Sequence, residues 1–435
     1  MNKYISLVIC IILLNGCSLQ KNSKFWTKSK NIPEEKKQNF QKILITEKTL
    51  TNELNPSLKI KLDDKINNDS LLLRNYSNND GRLDYNGVLK RSSRYKFKKI
   101  KNFHQFEPVI SFNKKNIIFF DDKGSILKFN DNSKLIWKKN YYSKSEKKLK
   151  PILQFANNEN ILVVADNIAK YYAIDLKSGK LLWSKNNLAP FNSQIKLYKD
   201  KFFIIDFSNT LRCFSIKSGN ELWSIKTENS LIRSQKKLSM VIINDFLYFN
   251  NSLGDISAVS IEKGELIWQL PTQSTLIYEG AFSLKTSDII TDGNSLFFSN
   301  NYNEFFSIDH ETGSFNWKNK INSSLRPSLV DNYIFTISQE GYLFIIEKQS
   351  GNIIKITDVF SHFKRKKREK IEPVGFVMGL KNIYLTTNNG RLLVIDIKTG
   401  KTKSVLKIDN EKISRPTIMN DNLFVVKDNA IIRLN

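Results

Sequence analysis

The residues able to do chemistry are few, and their spacing matches no common catalytic or metal-binding arrangement. The three histidines, His104, His310 and His362, lie far apart in the chain, without ligand spacing for a metal. His310 falls inside an Asp-x-x-Thr-Gly turn and is expected to be solvated. Asp206, Glu279 and Asp288 could each bind a hard cation, yet nothing sets them at the spacing of a calcium loop. GxSxG, HExxH and CxxC are absent. No catalytic, cofactor or metal site is therefore expected. What remains is recognition. Lys and Arg number 68 against 42 Asp and Glu, a net charge of +26, and aromatics make up 11% of the 435 residues. Part of that excess is compositional, because Lys, Asn and Ile are over-used throughout. Five segments concentrate the rest, some with aromatic side chains among the cations. They are Lys138–Lys150 (Lys138, Lys139, Tyr141, Tyr142, Lys147, Lys148), 188–194 with Phe191, 230–237 with Arg233, 269–282 with Tyr278, and 360–370 (Phe363, Lys364, Arg365, Lys366, Lys367, Arg368). Aromatic and Arg side chains anchor interfaces, and Lys steers encounter, so these residues are the candidate face for a partner with an acidic surface.

The N-terminus decides which acidic partners are available. Met1-Asn2-Lys3 gives a positive start, and Ile5–Leu14 an apolar stretch too short to span a bilayer. Leu14-Asn15-Gly16-Cys17 resembles the lipobox of bacterial lipoproteins, which implies a signal peptide over 1–16 and lipidation of Cys17. Ser18 rather than Asp follows, which by the sorting rule of such lipoproteins implies the outer membrane, facing the periplasm. Acyl chains on one residue anchor it stably. Export removes DNA and RNA as partners. Once Cys10 leaves with the signal and Cys17 is acylated, Cys213 is alone, so no intramolecular disulfide is available. No run of eighteen apolar residues is present, which excludes a polytopic helical membrane protein. Residues 17–93 are polar and lack sustained periodicity, apart from a short amphipathic pattern over Ile32–Leu50. They read as a lipid-anchored flexible tether reaching roughly 50 Å.

Beyond residue 93 the chain repeats itself. Trp137, Trp183, Trp223, Trp268 and Trp317 each close a segment of the type Gly-x-x-x-Trp, or Ser-x-x-x-Trp in the first copy. Turns of one kind precede them, with Gly179, Gly219, Gly264 and Gly313, and two further copies at Gly351 and Gly400 lack the Trp. Successive glycines are 40, 45, 49, 38 and 49 residues apart, the period of a four-stranded propeller blade. Asp or Ser can open such a turn by accepting backbone amides, and Gly takes the positive φ that ends it. An earlier short strand is often opened by Pro, as in EPVISF, KPILQF, RPSLV, EPVGFVM and RPTIM. No helix intervenes, which excludes helical solenoids and βαβ folds. Seven complete units end near residues 137, 183, 223, 268, 317, 355 and 405, and the C-terminus supplies only three more strands. Residues 95–100 (YKFKKI) are expected to supply the missing fourth. The reading is an all-β, eight-bladed propeller over 94–435, monomeric and closed by its N-terminal strand. The Trp residues are expected to pack between neighbouring blades.

These units resemble the PQQ-type propeller repeats of bacterial quinoproteins and their non-enzymatic relatives. The dehydrogenase branch implies a quinone and Ca²⁺ held by carboxylates, an amide and an adjacent cysteine pair, and no Cys-Cys pair is present. The BamB-like lipoprotein branch implies a lipobox, a tether, eight blades and no cofactor. It suggests a non-catalytic periplasmic scaffold docking envelope proteins of the outer-membrane β-barrel assembly machinery. A PQQ-dependent dehydrogenase, or an anionic lipid- or glycan-binding propeller, stands as the alternative. The longer tether and greater positive charge depart from the BamB-like pattern.

Overall fold

Alternating polar turns and apolar strands of four to six residues can bury both faces only if sheets stack side by side, and this chain stacks eight. The computed structural model describes residues 50, 52–62, 71–227, 234, 236–272 and 284–435. Cys17, Trp26, Arg233, Tyr278, Glu279 and nearly all of the Ile32–Leu50 pattern lie outside the described residues. Eight four-stranded antiparallel sheets make up the ring, seven pairing their strands in chain order and the eighth joining the first strand of the chain to the last three. Blade 1, for example, comprises Ser111–Asn113, Asn116–Phe120, Ile126–Phe129 and Leu135–Lys139. The second and third strands of blade 1 are almost wholly buried, whereas its fourth is exposed to half-buried; in blade 6 the fourth strand, Ile353–Asp358, is itself half-buried to buried. The core is therefore a set of layers between blades, as repeat stacking requires.

The Trp residues fasten these layers. A Cβ placed on Gly219, Gly264, Gly313 or Gly351 would stand 2.5–2.7 Å from the Trp ring of the preceding blade. The indole N–H of Trp183, Trp223, Trp268 and Trp317 donates to a carbonyl of the following blade's turn, at Ile216, Ile261, His310 and Lys348 respectively. These glycines sit at φ between +69° and +74°, so both conformation and contact demand Gly. In the first copy Ser133 takes φ +58° where glycine stands elsewhere. In blade 7, Gly400 meets Thr357 of blade 6 instead of an indole.

The ring closes as expected, with a shift. Arg91–Lys96, rather than 95–100, pairs antiparallel with Ala430–Leu434 and completes blade 8. Tyr95 faces inward at 0% exposure, against Phe129 of blade 1 and Phe424 of blade 8, and its hydroxyl donates to Asp131 O. It thus stands in for the Trp of blades 1 to 5. Phe97 and Ile100 leave the strand to enter the core of blade 1. Apolar alternation runs on past Lys96, so it does not mark the strand end.

Part of the segment read as tether is built into the ring. Leu54 pairs with Ile356 on the outer strand of blade 6, and Ile60 is buried in the core of blades 6 and 7. Helix α1 (Leu71–Ser77) and the extended residues 78–85 then cross the innermost strands of blades 3 to 8. Asn78, Asn79, Asp80, Arg82 and Leu83 of this crossing meet backbone or side-chain partners more than 100 residues away, which no local reading of NNDGR can reveal.

Candidate interaction face

Strand order fixes the geometry of the two faces. With four antiparallel strands per blade, the connections between blades share one face with the hairpins joining second to third strands. The hairpins joining first to second strands share the other. The basic segments at 138–150 and 360–370 are interblade connections, so topology puts both on the first face. They belong to the blade 1–2 and blade 6–7 junctions, with the channel mouth between them.

Within these connections only some residues are accessible. Ser143 caps the short helix α2 (Lys144–Lys148), accepting from Glu146 N while Glu146 accepts from Ser143 N. Lys148 is exposed there and Lys147 half-buried. Helix α3 (Arg365–Arg368) carries four basic residues with no acidic residue in its first turn. Among the described residues, Lys364, Arg365, Lys366 and Lys367 are exposed and make no ion pair. Arg368 instead pairs with Asp358 at 2.5 Å and stacks on the Tyr342 ring at 5.1 Å. Lys138 bridges to Asp121 at 2.7 Å, and the Lys139 stem packs near Gly179.

The aromatic members of the expected face are structural. Tyr142 is 4% exposed, with its hydroxyl donating to Asp166 Oδ2 at 2.5 Å. Phe191 is 3% exposed and lies in the core of blades 2 and 3. Tyr141 donates to Gly179 O, and Phe363 packs edge-on against the buried Phe360. Interblade connections cross the apolar layers, so their aromatic residues fall inward. The accessible remainder is cationic.

Asp206 and His310 are held by neighbouring side chains. Asp206 is fully buried, pairs with Arg212 at 2.8 Å and accepts Ser208 N. His310 is not solvated as expected: its Nδ1 lies 3.0 Å from Tyr248 Oη and its ring packs edge-on to Tyr248. Among the described residues no three of His, Cys, Asp or Glu converge as a metal site would require.

The channel holds the cluster that sequence reasoning missed. Asn78, 4% exposed, places its Nδ2 2.9 Å from both Met240 O and Ile289 O, while its Oδ1 accepts Lys196 Nζ at 2.6 Å. Asn79 exchanges bonds with Leu329 N and O, and Leu83 N donates to Met378 O. Asp80 meets Arg415 at 2.5 Å, Arg74 at 3.8 Å and Arg326 at 3.9 Å. Arg326 in turn holds Asp288 at 2.5 Å. Burial would raise the Asp80 carboxyl, but Arg415, Arg326 and Arg74 outweigh it and hold it at about 2. Burial likewise opposes the Asp288 charge, and Arg326, Lys236 and Lys237 keep it ionised. Serines position this ring: Ser193, Ser287 and Ser414 each accept a second-strand N–H and donate to the carbonyl of the next residue, Gln194, Asp288 or Arg415. Gly375 leaves room for the Arg415 stem, since a Cβ there would stand 2.6 Å from it. The sequence did carry a signal. Arg326, Arg415, Glu107, Lys150 and Glu372 all directly precede the Pro that opens an innermost strand.

The comparisons with known proteins agree with this architecture. The chain is 26% identical over 155 residues to the outer membrane protein assembly factor BamB of Legionella pneumophila, a match covering 35% of each chain. It is 21% identical over 315 residues to the protein of that name in Shewanella oneidensis, covering 66% of this chain and 72% of the other. The crystal structure of BamB from Moraxella catarrhalis superposes with a TM-score of 0.66 at 14% identity, over 80% of this chain and all of that one, which bears on the fold alone. Residues 122–357 match the sequence model of the family described as outer membrane protein assembly factor BamB, more than half of the chain, and the protein therefore belongs to that family.

Proposed function

We propose that the chain acts in outer-membrane protein assembly as a non-catalytic, periplasm-facing scaffold, anchored through a lipid on Cys17. It docks an acidic surface of an envelope-assembly protein on its interblade-connection face. Family membership over residues 122–357 carries this reading. The exposed, unpaired cations Lys364–Lys367 support the choice of face. Desolvating such charges is costly unless a partner supplies counter-charges, so an acidic surface is the chemistry that fits. Within the described residues no helix is long and apolar enough to cross a membrane. The test is a crosslinking pull-down of the full chain from outer membranes. Recovery of a barrel-assembly component is expected, reduced when Lys364–Lys367 are changed to Glu. Recovery of none overturns the reading. Radiolabelled palmitate is expected in the wild type and not in Cys17→Ser, and equal labelling of both contradicts the anchor.

A further inference from the structure

The channel is closed from one side and charged at the other. Residues 78–85 fill it from the face of the first-to-second-strand hairpins, with Asp80 as their carboxylate on the axis. On the opposite face the residues that lead into the innermost strands converge on the mouth. Three lysines reach between blades there to neutral acceptors. Lys237 Nζ of blade 4 lies 3.3 Å from Gln154 Oε1 of blade 2. Lys236 of blade 4 donates to Ser324 O of blade 6. Lys412, before blade 8, donates to His104 O at 3.1 Å. Lys285 adds a fourth, exposed cation. The carboxylates facing this group are Glu107 and Glu372, with Asp288 below. Asp288 is already engaged by Arg326. Four cations therefore face two uncommitted carboxylates. Burial, with Lys285 and Lys236 nearby, lowers the Lys412 ammonium below its ordinary range, and burial does the same to Lys237. The amide Nε2 of Gln194, beside the floor, has no partner among the described residues.

A neutral residue at 237 or 412 would relieve repulsion and desolvation together, so these lysines weaken the ring in the absence of an anion. The chain also shows what the channel accepts. Asp80 is a carboxylate seated between Arg415 and Arg326, one level below the mouth.

We infer that the channel mouth on the interblade-connection face is a receptor for carboxylate side chains of an acidic peptide segment of a partner protein, with Lys237, Lys412, Lys236 and Lys285 as its donors. This rests on the acidic-partner reading of the same face and gives it a centre. The rim cations of α2 and α3 steer the segment, and the mouth holds it. Charge-assisted bonds in a partly desolvated site are each worth roughly tenfold in affinity.

The test uses the full chain and a fluorescein-labelled hexaglutamate peptide, followed by anisotropy at low and moderate salt. A Lys237→Met, Lys412→Met double variant keeps the stems and removes the charges. It is expected to retain or raise thermal stability and to lose about a hundredfold in peptide affinity. Changing Lys364–Lys367 to Ala is expected to cost only a few-fold, most of it abolished by salt. Equal binding by the wild type and the double variant overturns the site, as does failure of the wild type to bind the peptide. Phosphatidylglycerol vesicles that bind through the same two lysines while the peptide does not would assign the mouth to lipid and overturn it too. The two readings fail separately. Peptide binding at the mouth without recovery of an assembly component from membranes sinks the scaffold reading alone. Recovery that is indifferent to Lys237 and Lys412 sinks the mouth alone.

Discussion

Replacing Asn78 by Ala should destabilise the whole ring, although a local reading of the sequence places this residue in a linker. Its side chain is buried and joins blades 3, 4 and 5. The Nδ2 group has two protons, so the two carbonyl contacts at 2.9 Å, to Met240 and Ile289, are the bonds to credit. Each is worth about 1 kcal/mol net. The bond from the buried Lys196 at 2.6 Å is charge-assisted and adds roughly 1.5–3 kcal/mol, because its loss leaves an ammonium with Asn75 O as its remaining acceptor. Asn78 also holds φ +55°, where Ala costs about 1 kcal/mol more than Asn or Gly. The sum for Asn78→Ala is about 4–6 kcal/mol, and for Asn78→Gly about 1 kcal/mol less. Guanidinium unfolding of the full chain, followed by tryptophan fluorescence, reads this as a lower midpoint for both variants, with Ala below Gly. A midpoint for Asn78→Ala within 1 kcal/mol of wild type would refute the reasoning and return the segment to the tether.

Gly264→Ala should cost about 2–4 kcal/mol, from a Cβ 2.5 Å from Trp223 together with φ +73°, and Trp223 emission should shift as its ring is displaced. Unchanged stability and emission would refute the interblade staple. Tyr95→Ala should cost about 3–5 kcal/mol, and deletion of residues 91–97 should remove the single cooperative transition. An unchanged melt contradicts closure through this strand. For Asp80 the folded pKa of about 2 lies below the ordinary 3.8, so its stabilisation is fully present above about pH 4 and lost as pH falls towards 2. That amounts to about 2 kcal/mol, so Asp80→Asn should be less stable at pH 7 and show a shallower stability loss between pH 4 and 2. Parallel pH profiles for both proteins would refute this.

What was legible in the sequence was whatever repeats. The turn glycines recur because most junctions pose the same packing problem, so their period reveals the blades, and the three-strand remainder at the C-terminus reveals closure. What repeats only as a type is harder to read. Arg326, Arg415 and Glu372 share a place before Pro, yet their convergence requires knowing that innermost strands surround an axis. Asn78, Asn79 and Asp80 were unreadable for a stronger reason. Their polarity suggests water, and their actual partners, from Gln194 to Arg415, are brought close only by the complete ring. Tyr142 and Phe191 show the reverse error, as aromatic residues in polar connections whose rings fall into the layers those connections cross.

The central claim is that this BamB-family propeller docks an assembly partner through its interblade-connection face. Photo-crosslinking in intact cells tests it most directly, with a photoreactive residue at Lys366 on that face and, separately, at Lys263 in a turn of the opposite face. The account predicts a crosslink to a barrel-assembly component from position 366 and none from 263. A crosslink from 263 alone, or from neither position, would contradict it.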